Sequence, residues 1–264
     1  MRAKAFALLA YFKYLNKSRT RHSVHSPFVY SLIEEVIRNR KENPVFLEIY
    51  GLRQKLLQRS QVIEITDFGS GSNLESYEHR FERVSSIARR SAVTEKYGRL
   101  LFRLVEYFKP STIIELGTSL GISAVYLAKA NPQAQVFTVE GCATKSEQAA
   151  ANFKSLDILN IEQHIGRFDI ILPDVIDQAG KLDFAFIDGH HTREATLDNF
   201  EALLKIAHND TVFVFDDIHW SAGMEKAWTE ITDYKRVTVS IDLFRLGIVF
   251  LRRELSKQKF VIRF

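Results

Sequence analysis

The stretch TIIELGTSLGISAVYLAKA, residues 112–130, carries the pattern that decides the fold of this sequence. An apolar run ends beside Glu115, a turn follows between Gly117 and Gly121, and an apolar segment with helical character comes directly after the turn. A parallel strand delivers its end to a nucleotide in this way, because glycines allow close backbone approach and the helix N-terminus faces the ligand. The next apolar run, QVFTVE, ends in Glu140, whose carboxylate can accept hydrogen bonds from two vicinal ribose hydroxyls. These features in this order predict a ribose-nucleotide site, with a plain βαβ turn as the alternative.

A second glycine-punctuated stretch, DFGSGSN at residues 67–73, lacks the rest of this pattern. No clean apolar stripe follows it, and no subsequent strand ends in an acid. We therefore predict a turn here, and a ligand loop or a lid near the active site is the alternative.

The composition is that of a globular chain with one sizeable core. The 264 residues are 46% hydrophobic and carry a formal net charge of +4, which is compatible with an anionic substrate, nucleic acid or a membrane surface. The single cysteine, Cys142, excludes an internal disulfide and a four-cysteine zinc site. No segment approaches the roughly 18 apolar residues of a membrane span, and the basic N-terminal stretch lacks a small-residue cleavage site. We expect a cytoplasmic protein.

Helices dominate the first 60 residues, and strands alternate with helices from about residue 112 onward. The near-continuous apolar strands are typical of a parallel sheet that is buried on both faces. There is no room for a crossover helix in the stretch RVTVSIDLFRLGIVFLRR, so this stretch predicts an antiparallel pair of strands around Gly247. The later stretch KFVIRF is a candidate edge strand.

The sequence resembles the class I S-adenosylmethionine-dependent methyltransferases in four segments. In chain order they are ELGTSLGISAVYLA, VFTVEG, FAFIDGHH and VFVFDD. They are most similar to the catechol O-methyltransferase-like group of small-molecule enzymes. The resemblance covers roughly residues 94–252. It implies an α/β fold, a Rossmann-like three-layer sandwich with a mostly parallel seven-stranded sheet and an antiparallel last strand. It also implies a methyltransferase domain at 93–264, with residues 1–92 as a mainly helical N-terminal extension or cap.

The resemblance also implies the cofactor and its ligands. Glu115 and Gly117 would lie by the methionine moiety of S-adenosylmethionine, and Glu140 would hold the ribose hydroxyls. In the adenine loop, Arg167 replaces the small or acidic residue that is usual after the glycine. The full set of predicted cofactor residues is Glu115, Gly117, Ser119, Gly121, Ser123, Glu140, Gly166, Phe168 and Asp188.

Two further strand ends, FIDGHH and FDDIHW, are acidic. Neighbouring parallel strands deliver their ends to one crevice, so Asp188, Asp216 and Asp217 could converge there. Three such carboxylates repel one another unless a cation or protons compensate, and their hard oxygens suit Mg²⁺. Three alternatives stay open: a transition-metal site that includes the neighbouring histidines, bound structural water, or capping by Asp216 or Asp217 of the helix that begins near Ser221.

In the catechol-type enzymes these acids hold Mg²⁺, which makes Asp188, Asp216 and Asp217 the predicted ligands of Mg²⁺ or another divalent cation. The second acid of the pair departs from the family, which has an asparagine there. The family's general base, a lysine three residues after the first metal ligand, corresponds to His191. A histidine can take a proton from a hydroxyl at neutral pH. His219 is a second candidate base, and Asp188 is counted with the catalytic residues.

The predicted function is S-adenosylmethionine-dependent O-methylation of a small-molecule acceptor, by a chain that can form a homodimer. A methyltransferase acting on RNA or protein is an alternative, which the basic KSRTRHSVHS stretch permits, although the N/D-P-P-Y signature of N-methylation is absent. An NAD-binding Rossmann protein is disfavoured, because G-T-S-L-G lacks the G-x-G-x-x-G spacing. The intact turn and Glu140 argue against a non-catalytic nucleotide-binding scaffold.

Overall fold

The computed structural model describes residues 2–20, 24–67 and 78–264. In chain order, the helices are α1 (Arg2–Lys17), α2 (Pro27–Leu32), α3 (Pro44–Gln58), α4 (Val84–Ser91), α5 (Glu95–Phe108), α6 (Ile122–Ala130), α7 (Ala143–Ser155), α8 (Phe168–Ala179), α9 (Arg193–Leu204) and α10 (Ala222–Asp233). The strands are β1 (Val62–Asp67), β2 (Glu78–Arg83), β3 (Thr112–Leu116), β4 (Gln135–Glu140), β5 (Ile161–Ile165), β6 (Leu182–Ile187), β7 (Ala207–Phe215), β8 (Val239–Asp242), β9 (Gly247–Phe250) and β10 (Gln258–Val261).

The chain divides into two compact units. One consists of Arg40–Gly180, and the other combines Met1–Asn39 with Lys181–Phe264. This division does not coincide with the predicted boundary between residues 92 and 93, which stays a prediction about domain organisation.

The Arg40–Gly180 unit is built around three parallel strands, in the order β3-β4-β5. β3 is buried from Ile113 to Leu116, and β4 from Val136 to Glu140, because helices cover these strands. Among them, α6 and α8 contact β4, while α7 contacts β4 and β5. The turn of residues 117–121 therefore follows a strand whose position is fixed by its neighbours.

An antiparallel hairpin of β1 and β2 belongs to the same unit, with Val62 opposite Arg83 and Asp67 opposite Glu78. The sequence analysis found no strand here. Ile63 and Ile65 are buried while Val62 is exposed, so the strand has an alternating pattern that a period-2 reading detects. The glycine-rich stretch at 67–73 lies, apart from Asp67, outside the described residues.

The second unit contains five strands, in the order β10-β8-β9-β7-β6. β6 and β7 are parallel, and β9 runs antiparallel to both β7 and β8. The predicted antiparallel pair around Gly247 is thus confirmed as β8 and β9. The predicted strand count of seven is wrong for the described residues, which have eight strands besides the hairpin. The candidate edge strand in KFVIRF is confirmed as β10, which is the outermost strand of this unit and runs parallel to β8.

Helices α1 and α2 belong to this second unit. The Tyr14 hydroxyl donates to the carbonyl of Ile262 at 2.6 Å, and Arg19 N donates to Val261 O at 2.8 Å. α2 begins at Pro27 after the cap Ser26, as the Ser-Pro sequence suggests, and it continues into a π-helical segment at Ile33–Ile37. Among the described residues, no helix has the length and apolar character needed to cross a membrane.

Candidate active site

The turn after β3 departs from ordinary backbone geometry at three positions. Gly117, Ser119 and Gly121 have φ angles of 108°, 48° and 82°. Glycine adopts such angles without steric cost, but serine does so rarely, and strained residues of this kind cluster at functional sites. The turn is closed by a bond from Gly121 N to Thr118 O, 2.8 Å long. It is tethered to β4 by a bond from Gly117 N to Val139 O, 2.9 Å long.

The carboxylate of Glu140 lies against this turn. Its Oε2 accepts a hydrogen bond from Ser119 N at 2.7 Å, and its Oε1 accepts one from Cys142 N at 3.0 Å. Lys145 Nζ is 4.0 Å from Oε1. Each carboxylate oxygen has two lone pairs, so both can still accept from a ligand hydroxyl. The side-by-side placement of turn and carboxylate that the sequence predicted is present, and the ribose-binding role of Glu140 stays a prediction.

Two polar atoms beside the turn are buried and have no partner among the described residues: Oε1 of Glu115 and Oγ of Ser119. The other oxygen of Glu115, Oε2, accepts from the Thr138 hydroxyl at 2.6 Å. Burial raises the pKa of Glu115 to about 7, although hydrogen bonds from Ser123 and Thr138 oppose this. Buried polar groups are almost always paired, so two unpaired atoms at one turn indicate a ligand site.

The predicted adenine loop follows β5. Gly166 N donates to Glu140 O at 3.0 Å, which places this loop next to the end of β4. Phe168 is half-buried and is the first residue of α8, a helix that the sequence analysis did not predict. The guanidinium of Arg167 pairs with Asp169, with distances of 3.0 Å from Nε and 2.6 Å from Nη2.

The acidic strand ends of the second unit do converge, as predicted. Asp188 follows β6, Asp216 follows β7, and Asp216 N donates to Ile187 O at 2.9 Å. Burial raises the pKa of Asp188 well above its usual range, and the charges of Asp216 and Asp217 add to the effect. A hydrogen bond between the side chains of Asp188 and Asp216 raises the pKa of Asp188 further. Burial, together with the charge of Asp216, raises the pKa of Asp217 to about 7.

A residue that the sequence analysis missed, Arg245, lies in the loop between β8 and β9. Its Nε and Nη2 donate to Oδ1 and Oδ2 of Asp216 at 2.9 and 2.8 Å, and its Nε is 3.4 Å from Oδ1 of Asp217. Burial opposes the charge of the guanidinium. The hydrogen bonds and charge of Asp216 outweigh that effect and raise the pKa of Arg245. The sequence signal was the repulsion among three acids, which either a cation or protons can relieve.

The predicted divalent-metal site does not fit this arrangement. Both oxygens of Asp216 are already engaged by Arg245. In the part of the chain that the structure describes, no group of three or more His, Cys, Asp or Glu side chains could hold a metal ion. That finding also applies to the alternative transition-metal site with His190 and His219.

His191, the predicted general base, lies beside the acids. Its Nε2 is 3.6 Å from Oδ1 of Asp188, and its side chain is half-buried. Burial lowers the pKa of His191, while the charge of Asp216 acts in the opposite direction. The neutral imidazole, which is the form that can accept a proton, is therefore favoured.

His219 is engaged at both ring nitrogens. Nε2 lies 2.8 Å from Oδ2 of Asp242, and Nδ1 lies 3.0 Å from Oε1 of Glu225. Burial lowers its pKa, but the two carboxylates outweigh this and raise it. A histidine held between two carboxylates has no free nitrogen for a substrate proton, which argues against His219 as a base. The alternative role of Asp216 or Asp217 as a helix cap is wrong, because Ser221 Oγ caps α10 by accepting from Met224 N at 3.1 Å.

Comparisons with known proteins agree with this picture. Residues 114–218 match a family described as a methyltransferase domain. The catechol O-methyltransferase of Mycobacterium tuberculosis is 27% identical over 137 residues, which are 51% of this chain and 60% of that protein. The catechol O-methyltransferase of Niastella koreensis is 26% identical over 133 residues, 48% of this chain and 58% of that protein. The matched segment thus spans about 60% of the length of these relatives.

Solved structures extend the likeness beyond the matched segment. The O-methyltransferase TomG from Streptomyces achromogenes, in complex with S-adenosylmethionine, superposes with a TM-score of 0.58 at 20% identity over 85% of this chain and 95% of that one. The O-methyltransferase from Bacillus cereus, in complex with S-adenosylhomocysteine, gives a TM-score of 0.58 at 16% identity over 83% and 94% of the two chains. At these identities the likeness establishes the fold, and the predicted Rossmann-like α/β class is confirmed. The family resemblance seen in the sequence is confirmed as well: residues 114–218 match the methyltransferase-domain family, and the chain is similar to O-methyltransferases.

Proposed function

We propose that this chain transfers a methyl group from S-adenosylmethionine to an oxygen atom of a small-molecule acceptor. The observation that carries the proposal is the pair of buried, unpartnered oxygens of Glu115 and Ser119 beside a turn that also holds Glu140. A polar ligand that supplies hydrogen bonds at this place would satisfy atoms whose burial is otherwise unfavourable.

The residues present fit S-adenosylmethionine. Glu140 would accept hydrogen bonds from the two ribose hydroxyls, since each of its oxygens has bonded to only one backbone N–H. Glu115 Oε1 and Ser119 Oγ would bind the methionine moiety, together with Gly117 and with Ser123 in the first turn of α6. Gly121 allows α6 to start at the turn itself.

The adenine end would be bound by Gly166 and Phe168. Gly166 is bonded to the backbone of Glu140, and Phe168 offers a half-buried aromatic face at the start of α8. Asp188 is proposed as a further cofactor residue on the basis of the resemblance alone.

Bound S-adenosylmethionine supplies an electrophilic methyl group on a sulfonium centre. The chain then has to hold an acceptor oxygen in line and remove its proton, and positioning is the larger of these contributions. We assign the proton to the imidazole of His191, whose Nε2 lies 3.6 Å from the Asp188 carboxyl. Asp188 would orient the imidazole, and His219 would stay a structural residue because both of its nitrogens are bonded.

We infer a small-molecule acceptor for this chain from its similarity to the catechol O-methyltransferases. The predicted homodimer stays a prediction, and light scattering of the purified chain after size-exclusion chromatography tests it.

Isothermal titration calorimetry tests the cofactor assignment directly. The purified chain is titrated in parallel with S-adenosylmethionine, S-adenosylhomocysteine and NAD, and we expect one site for each of the first two ligands and none for NAD. Saturable binding of NAD alone, or heat from none of the three, would refute the proposal.

The acceptor is sought with a panel of phenols, catechols and aliphatic alcohols, and release of S-adenosylhomocysteine is the readout. An RNA oligomer and an unstructured peptide serve as competing acceptor classes. Turnover of a hydroxyl compound that His191→Ala slows supports the assigned base. Turnover confined to the RNA or the peptide contradicts the small-molecule assignment while leaving the cofactor site intact.

A further inference from the structure

We propose that the guanidinium of Arg245 takes the place of a divalent cation among Asp188, Asp216 and Asp217, so that this chain handles its acceptor without a metal. Only the statement that the acceptor is methylated without a metal rests on the proposed methyl-transfer function. The first part, an internal cation that excludes a metal, concerns the second unit alone.

The contact between Arg245 and Asp216 has the geometry of a committed ion pair. Nε and Nη2 each donate to a different oxygen of the same carboxylate, at 2.9 and 2.8 Å. A bidentate pair of this kind matches the planar guanidinium fork to the carboxylate and is among the strongest polar contacts in proteins. Asp216 is fully buried, so its charge requires a partner in this place.

The loop that carries Arg245 is fixed rather than adaptable. Ile218 N donates to the carbonyl of Arg245 at 3.2 Å, which ties the loop to the acidic strand end. Asp242 Oδ1 accepts from Phe244 N at 2.8 Å, and Phe244 adopts a φ of 72°. The other oxygen of Asp242 is held by His219 at 2.8 Å. These hydrogen bonds hold the turn that positions the guanidinium against Asp216. Moving Arg245 aside to admit a metal would break several of them.

A metal and Arg245 cannot share the site. A divalent ion held by the three acids would need the Asp216 oxygens that Arg245 already binds. It would also stand within a few ångströms of a permanent positive charge, and that repulsion is strong in a buried setting. One arginine therefore balances the acidic strand ends and closes them to Mg²⁺.

The test measures Mn²⁺ binding by electron paramagnetic resonance on the full chain, because Mn²⁺ is a good probe for carboxylate sites that take Mg²⁺. Five proteins are compared: the unaltered chain, Arg245→Gln, Arg245→Lys, Asp216→Asn and the double variant Arg245→Gln with Asp216→Asn. Arg253→Gln is the matched control, since it removes one exposed positive charge from the same unit.

We expect no bound Mn²⁺ at this site in the unaltered chain, in Arg253→Gln or in Arg245→Lys. Removal of the guanidinium frees the three acids, so Arg245→Gln should bind Mn²⁺ at least ~10-fold more tightly, and the added Asp216→Asn change should abolish that gain. Circular dichroism checks that each variant is folded.

The proposal is overturned if the unaltered chain binds Mn²⁺ and loses that binding on Asp216→Asn alone, or if Arg245→Gln folds and binds Mn²⁺ no more tightly than the unaltered chain does. The first of these outcomes can be measured even if Arg245→Gln does not fold, because it needs only the unaltered chain and Asp216→Asn. Calorimetry with S-adenosylmethionine is run on the same samples. If the unaltered chain does not bind S-adenosylmethionine, the proposed function is contradicted, but the conclusion from Mn²⁺ binding is unaffected.

Discussion

Single residues decide whether the nucleotide site works, and Glu140 is the first of them. We expect Glu140→Gln to weaken S-adenosylmethionine binding by roughly 10- to 100-fold, because hydrogen bonds to a charged group contribute about 1.5–3 kcal/mol and a charged acceptor is lost. The amide would also place a donor against Ser119 N or Cys142 N, both of which are donors themselves. Calorimetry measures the affinity.

Glu147→Gln is the control for this change, because Glu147 is an exposed glutamate on α7. It should bind the cofactor as the unaltered chain does. Equal affinity in all three proteins would remove Glu140 from the ribose site.

The second residue-scale prediction concerns Glu115 and pH. Its pKa in the folded chain is about 7, against 4.5 for a free glutamate, so the folded state keeps a proton that the unfolded state releases. The free energy of unfolding therefore falls as pH rises from about 4.5 to about 7 and is unaffected by this group below that window.

Glu115→Gln mimics the protonated acid and should abolish this term. The free energy of unfolding of the variant minus that of the unaltered chain should therefore increase from pH 5 to pH 8. The increase should be on the order of a few kcal/mol, since one pKa unit is worth about 1.4 kcal/mol. Urea denaturation at both pH values measures the difference. Parallel stability curves for the two proteins would show that Glu115 titrates normally.

At the scale of elements, the junction between the turn and α6 depends on Gly121. A Cβ at this position would lie 2.5 Å from the Phe153 ring of α7, and the φ of 82° is unfavourable for any other residue. Gly121→Ala therefore combines backbone strain with overpacking, and we expect a loss of roughly 2–5 kcal/mol.

Gly180→Ala separates the two causes. Gly180 has a φ of 63°, but a Cβ there would meet no atom within 4 Å. We expect this control to lose only about 1–2 kcal/mol, the strain alone. Thermal unfolding of both variants is the measurement, and equal losses would mean that helix packing against Phe153 does not matter.

The elements also show where sequence reasoning succeeds and fails. β3, β4 and α6 were predicted because their apolar patterns are long and the glycine turn separates them clearly. α8 was missed because Pro173 lies inside it, although Leu172, Val175 and Ile176 are buried at helical spacing. The hairpin of β1 and β2 was missed because charged residues interrupt the apolar residues of both strands.

The candidate site follows the same division. Residues at strand ends, such as Glu140, Asp188 and Asp216, were predicted because sheet topology alone places them. Arg245 could not be predicted, because its partner lies 29 positions away and is reached only through the fold of the β8–β9 loop. The sequence indicated that a cation or protons must compensate the three acids, and it could not show that the chain supplies a cation itself.

At the scale of the whole molecule, the two ends of the described chain hold each other in one unit. The Tyr14 hydroxyl donates to Ile262 O at 2.6 Å and accepts from Phe264 N at 3.0 Å. Tyr14→Phe loses both contacts, and we expect a loss of about 1–2 kcal/mol in the free energy of unfolding, together with faster amide exchange at Phe264.

Tyr50→Phe is the control, because Tyr50 is a half-exposed tyrosine on α3 in the other unit. Hydrogen exchange followed by mass spectrometry compares the two variants. Unchanged exchange around Phe264 in Tyr14→Phe would mean that the contact does not restrain this end of the chain.

The backbone bridge between Arg19 and Ile262 has a further consequence for how copies of the molecule meet. β10 is the outermost strand of its unit, and an outermost strand offers unpaired amides and carbonyls to any passing chain. Arg19 donates to Val261 O and accepts from Arg263 N just where β10 ends. The segment after α1 thus occupies backbone groups at the end of β10 that could otherwise pair with a second copy. A variant from which residues 1–20 are removed should therefore precipitate at concentrations at which the full chain stays in solution.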